Sequence, residues 1–248
     1  MSSLFCQSTE ITESGKKKLK QDGGSGILLF KVELKKYYSA IATFLGILDD
    51  DELQRAHRYH FLKDKNRFII CRAFLKMALS KTTGTNLSDI RIDTGHNKKP
   101  VLSSHPDVFF NVSHSGQYAL IAIGDKPVGV DVERVNREFD FSDIKVKIFN
   151  PKERQVLDFA ADTERQFYEF WTRKEAVLKA TGKGIDDDFA QIPATDGFHE
   201  LESGILGKAS DFVVMSFEVD AEHMGAIAIE GRYEEFSWNP LYTPLPIF

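Results

Sequence analysis

From residue 167 to 184 the apolar side chains recur at helical spacing. Phe167, Phe170, Trp171, Val177 and Leu178 share a face, and Gly182 and Gly184 stand where a left-handed C-terminal cap is needed. The pattern predicts an amphipathic helix with a hard stop. A second long helix is expected from Lys65 to about Thr83, filled by Phe68, Ile69, Leu75, Met77 and Leu79 and ended by Gly84. A shorter one runs from Glu52 to His60 behind a cap at Asp49, Asp50 or Asp51, and another opens at Asn150-Pro151, a cap followed by a proline at the first helical position. Between Leu87 and Ile123 the period switches to two, and Asp89–Ile92, Pro100–Leu102, Val108–Val112 and Tyr118–Ile123 read as short strands. Ile27–Leu34, Val128–Glu133, Phe212–Val219 and Met224–Glu230 read as strands too, so the class is α/β (α+β). The run Leu79-Ser80-Lys81-Thr82-Thr83-Gly84 closes one long helix much as Leu178-Lys179-Ala180-Thr181-Gly182 closes the other. That echo fits two similar halves, placed at 27–124 and 125–233.

Composition narrows the classes. A chain of 248 residues, 42% hydrophobic and 28% charged, buries a large core as one domain or two small ones. A net charge of -5 argues against a general nucleic-acid or anionic-membrane partner. Two cysteines, Cys6 and Cys71, are too few for a disulfide framework, and Cys71 sits in an apolar helical pattern as a buried thiol. With no secretory h-region and no apolar run long enough to span a bilayer, a cytoplasmic enzyme is expected. Residues 1–26, which include Lys16, Lys17, Lys18 and Lys20, read as a solvated polar extension. Residues 234–248, with three prolines, read as an irregular tail.

Charges in the wrong place carry the chemistry. Trp171, Glu175 and Lys179 lie at i, i+4 and i+8, so a carboxylate and an amine share a stripe with a large apolar side chain. Taken alone, that is an exposed pair contributing about 0.3–0.5 kcal/mol. The strand Val128–Glu133 adds to it: three valines form one face, and Gly129, Asp131 and Glu133 the other. A glycine there allows a close approach to the backbone. Asp131, Glu133 and Glu175 together suit a hard cation such as magnesium, which accepts oxygen ligands and keeps positions for phosphate. Ser113-His114-Ser115 is a poor nucleophilic triad, because neighbours on an extended chain point to opposite faces; His114 is better placed as a phosphate donor.

Several motifs stand in a recognisable order: Arg58 to Phe61 with Asp64, Arg67-Phe68 and Arg72; Lys99-Pro100; Asn111 to Ser115; Gly129 to Glu133; and Trp171 to Ala176 with Lys179 and Gly182. From Leu53 to Gly184 the chain resembles the broad-specificity 4′-phosphopantetheinyl transferases, the type named for activating surfactin synthetase. The resemblance implies two pseudo-symmetric α/β halves with coenzyme A and magnesium in the cleft between them, and transfer of phosphopantetheine to a serine of an apo acyl or peptidyl carrier protein. It implies Asp131, Glu133 and Glu175 as metal ligands, Glu175 and Lys179 as catalytic groups, and Arg58, Lys63, Arg67, Lys99, Ser113, His114 and Lys179 as coenzyme A contacts. A monomer with no nucleic-acid or membrane partner is expected. Without those motifs, the three acids would equally serve another magnesium-dependent phosphoester hydrolase, and a catalytically silent carrier-protein or nucleotide-binding module is the reading from a different class.

Overall fold

Period-two burial begins at the second residue. Ser2–Ser8 is a strand, β1, with Leu4 and Cys6 wholly buried. The expected polar extension is therefore corrected at its start: serines mask a buried Leu-x-Cys alternation whose partner strand lies some two hundred residues away. The computed structural model describes residues 2–13, 26–183, 189–202, 204–207, 211–233 and 241–242. Gly184 and the lysine cluster at 16–20 lie outside the described residues.

After β1 come β2 (Thr12–Glu13), β3 (Leu28–Glu33), a 3-10 segment and α1 (Ile41–Leu45), α2 (Asp50–His57) and α3 (Leu62–Thr83). β4 (Asp93–Thr94) and β5 (Pro100–Val101) make a small hairpin, followed by β6 (Phe109–Ser115), β7 (Tyr118–Gly124) and β8 (Val128–Arg134). α4 (Ser142–Ile148), α5 (Pro151–Asp158), α6 (Thr163–Thr181), β9 (Gly197–Leu201), β10 (Asp211–Asp220), β11 (His223–Glu230) and β12 (Leu241–Tyr242) complete the described chain. The strand expected at Asp89–Ile92 is absent: a 3-10 turn spans Leu87–Asp89, and Arg91 holds it by donating to the carbonyls of Ser88 and Ile90. The tail is not wholly irregular, since β12 pairs with β2 and β3 and buries Tyr242.

The two sheets repeat one plan. β3-β7-β6 are neighbours in one and β8-β11-β10 in the other, the same order of first, third and second strand in each half. β12 and β2 extend the first sheet; β1 and β9 extend the second. The helical parts match as well. Asp49 and Glu52 form a capping box on α2, and Lys76 of α3 donates to Glu52 at 2.9 Å and Asp49 at 3.3 Å. Asn150 and Glu153 form a capping box on α5, and Lys174 of α6 pairs with Glu153 at 3.0 Å, both side chains fully buried. Each lysine precedes a left-handed glycine by eight residues, Gly84 (φ +73°) and Gly182 (φ +70°). The echo in the sequence is therefore real and deeper than its closing residues.

The sheets meet edge to edge through side chains. Asn111, Ser113 and Ser115 alternate along β6, so they share a face. Their oxygens accept from the free N–H groups of β8: Val130 to Asn111 at 2.9 Å, Val132 to Ser113 at 3.3 Å, Arg134 to Ser115 at 3.0 Å. This ladder covers an edge that would otherwise be left with unpaired donors. The valine face of β8 enters a core shared by both sheets, with Leu29, Leu120, Ala122, Ile227 and Ile229. The other face meets α6.

Candidate active site

Gly129 is what lets α6 lie on β8. A Cβ at that position would stand 2.1 Å from the Ala176 carbonyl oxygen and 2.3 Å from the Ala180 nitrogen. The close approach expected at this glycine is thus made by a helix of the same chain. It brings the Asp131–Glu133 face of the strand against the Trp171–Glu175–Lys179 stripe of the helix, and these five line one cleft with Val112, Ser113 and His114.

Asp131 is at the centre and 1% exposed. Its Oδ1 accepts from Lys179 Nζ at 2.5 Å and from Ser113 Oγ at 2.7 Å. Lys179 also donates to Ser113 Oγ at 3.0 Å. With the Val132 N–H as second donor, the Ser113 hydroxyl makes one donation and two acceptances, its full capacity. Ser113 therefore braces Asp131, and its one proton is already engaged. Ser115 repeats the device one step along, donating to Glu133 Oε2 at 2.8 Å. Burial and then the Asp131 carboxylate push Glu133 up to about 7, and the same two causes raise Glu175.

Among the described residues, no three of His, Cys, Asp and Glu form a ready-made metal cage. The three acids share a cleft without closing on a point. Asp131 Oδ2 is nevertheless buried with no hydrogen-bond partner among the described residues, a costly condition for a carboxylate oxygen. An open set of hard oxygens, one orphaned and all crowded by like charge, fits a magnesium ion that takes its remaining ligands from water and phosphate.

Next to this cleft, and sharing His114 with it, is a second lined by Arg55, Tyr59, Asp64, Arg67, Phe68, Arg72 and Asn111. Arg67 pairs with Asp64 at 2.8 Å. Burial, and then the Arg67 guanidinium, hold the His114 imidazole below the ordinary histidine value. The basic groups expected here do not all arrive. Arg58 lies one residue beyond α2 and lines an adjoining depression that shares Arg55 and Tyr59 with this cleft, and Lys63 is exposed with its amine 5.8 Å from the Phe61 ring. Arg55, which the motifs did not single out, lines the cleft instead and lies over the Phe68 ring at 5.0 Å.

Two family models match the chain, one in each half. One, described as 4′-phosphopantetheinyl transferase, N-terminal, covers residues 35–125, and the other, the 4′-phosphopantetheinyl transferase superfamily, covers 127–238. The 4′-phosphopantetheinyl transferase psf-1 of Bacillus pumilus is 35% identical over 69% of the chain and 74% of its own length. The chain belongs to the 4′-phosphopantetheinyl transferase superfamily. Relatives named 4′-phosphopantetheinyl transferase HetI, from Nostoc sp., and Sfp, from Bacillus subtilis, are 29% identical over 86% of the chain and 27% over 74%, covering 90% and 83% of their own lengths.

In this transferase two basic residues of the α6 motif, Arg173 and Lys174, are structural. Arg173, 1% exposed, donates to Ser216 Oγ, Ser8 Oγ, Glu169 Oε1 and the Ala194 carbonyl, so it ties β1 and β10 to the helix. Lys174 pairs with Glu153 as described. Lys99 is also partly committed: its Nζ donates to the carbonyls of Lys179 and Ala180 at 2.7 and 2.8 Å, and burial pushes it down to about 8. Both thiols, Cys6 and Cys71, are buried and pushed up to about 12 by that burial. Among the described residues no helix is long and apolar enough to cross a membrane.

Proposed function

We propose that this cleft carries the 4′-phosphopantetheine arm of coenzyme A to a serine of an apo acyl or peptidyl carrier protein, with magnesium held by Asp131, Glu133 and Glu175. The observation that supports this most directly is the buried, orphaned Oδ2 of Asp131, fixed by Lys179 and Ser113 in a cleft that two further carboxylates line. Magnesium bound there supplies charge neutralisation on the pyrophosphate. The rest falls to the side chains. Arg67 and His114 hold phosphate, with Arg55 lining the same cleft and Arg58 beside it. Glu175, or a water it orients, takes the proton of the carrier serine as that oxygen bonds to the β-phosphorus. The bond from that phosphorus to the bridging oxygen breaks, 3′,5′-ADP leaves with the electron pair, and Lys179 steadies the departing charge. Ser113 belongs to this scheme as the brace of Asp131. We read the enzyme as a monomer and as cytoplasmic, the latter in keeping with its two free, buried thiols.

The test is to mix the protein with coenzyme A, magnesium and an apo carrier domain and to weigh the carrier. One added phosphopantetheine is expected, and it should vanish in Asp131→Ala and in Glu175→Ala while both variants still unfold cooperatively. Degradation of coenzyme A without a gain of mass on the carrier would point to a hydrolase. Near-normal loading by both variants would remove the metal assignment.

A further inference from the structure

The last turn of α6 is held from the other half of the molecule. Carbonyls at a helix C-terminus have no partners within the helix. Here Lys99 Nζ caps those of Lys179 and Ala180, and Asn97 Nδ2 donates to the carbonyl of Gly182 at 2.9 Å. Both donors come from the tight turn between β4 and β5, which closes on itself through Gly95 N–H to the Lys99 carbonyl at 2.8 Å. That turn keeps two successive non-glycine residues in the left-handed region, Asn97 at φ +51° and Lys98 at φ +61°. Asparagine tolerates this region, whereas a lysine there is strained by about 1–2 kcal/mol. Strain of this kind persists where the surroundings over-determine a geometry, and functional clefts are where it collects.

We propose that the turn Gly95–Lys99 is a clamp that sets the position of Lys179, with Asn97 as its positioning residue. Lys179 leaves the clamped turn and reaches Asp131 and Ser113 with its amine, so a shift of that turn moves a cation that holds the central carboxylate. A misplacement of about 1 Å is able to cost about 100-fold in rate. Loss of one clamp bond, with Lys99 still in place, corresponds to about a tenfold loss. The clamp also spans the halves, so their contact and the position of the reacting amine are set together. The inference rests on the role proposed for Lys179.

The test is a double-mutant cycle on the carrier-loading reaction. Asn97→Gly keeps the left-handed turn and removes the amide; Asn97→Asp keeps the turn and turns an oxygen toward the Gly182 carbonyl. Both should lower kcat, by about tenfold and more, with KM for coenzyme A within twofold of wild type. In a Lys179→Ala background Asn97→Gly should then change kcat by less than twofold, because the group it positions is gone. An equal loss in both backgrounds would reduce Asn97 to a general structural part and overturn the clamp, as would an unchanged kcat in the single variants. Near-normal kcat in Lys179→Ala alone would overturn the role given to Lys179, and the clamp with it. A normal loss in Lys179→Ala beside an undiminished Asn97→Gly effect would overturn the clamp only.

Discussion

Replacing Gly129 with alanine should separate β8 from α6 and disable the cleft in one step. The added Cβ falls 0.9 Å inside the 3.0 Å that real Cβ contacts essentially never breach, and it does so against backbone, the Ala176 carbonyl and the Ala180 nitrogen. Backbone cannot swing aside as a flexible side chain does. Overpacking a rigid contact typically costs 1–3 kcal/mol, and obstacles of this kind place the expected loss near about 3 kcal/mol. At this chain length each kcal/mol lowers Tm by about 2–4 °C, so a drop of about 6–12 °C is expected. Loading activity should fall further than stability does, because Asp131 and Glu133 stand on one side of the widened contact and Glu175 and Lys179 on the other. Calorimetry on the purified variant gives the first quantity, and carrier mass under saturating coenzyme A and magnesium gives the second, measured well below the lowered Tm. A variant within 2 °C of the wild-type Tm and loading at the wild-type rate would refute the view that this glycine is required by the helix contact.

Three further outcomes follow from the same geometry. Arg67→Ala and Arg55→Ala should each weaken coenzyme A binding in calorimetry and shrink its preference over dephospho-coenzyme A, whereas Lys63→Ala should bind within about twofold of wild type, since its amine stands in solvent. Lys98→Gly should raise Tm by about 2–4 °C, because glycine accepts φ +61° without the roughly 1 kcal/mol strain of lysine. Lys174→Met leaves the fully buried Glu153 without its countercharge, so urea denaturation should report a loss of about 3–5 kcal/mol, which Glu153→Gln in the same chain should partly restore.

What the sequence made legible was what local pattern determines. The two long helices, their left-handed stops and the valine–carboxylate alternation of β8 all depend on periodicity within a dozen residues. Helix starts were less so: α3 begins at Leu62 and α6 at Thr163, earlier than the apolar stripe suggested. β1 escaped because its partner β10 lies some two hundred residues away, and a seven-residue segment with three serines carries no signal of that partner. Ser115 escaped for a related reason. Its part in holding Glu133 exists only because the edge of β6 faces the edge of β8, although the repeat of serine two positions on was a visible hint. Motif order says which basic residues are near, but it did not single out Arg55, whose part in lining the cleft shows only once α2 is set against α3. One residue past the end of α2, Arg58 lines an adjoining depression together with Arg55 and Tyr59.

The internal repeat explains why the acids belong to one half. Aligning the left-handed glycines sets Lys76 against Lys174 and Lys81 against Lys179, but it sets Met77 against Glu175. The structural lysine that locks each capping box is thus kept in both halves, while the acid is present in the second alone. Lys81 is exposed and has no carboxylate partner among the described residues, whereas Lys179 is drawn down to Asp131. A fold stabilised twice by the same buried lysine and capping box leaves the remaining helix positions free to diverge. The second half uses that freedom for an acidic face on β8 and α6, and the first for the arginine-lined cleft on α2 and α3. A ligand with a polyphosphate between a nucleotide and a reactive arm has the shape that joins the two, which is why neither cleft alone identifies the reaction and the boundary between the halves does.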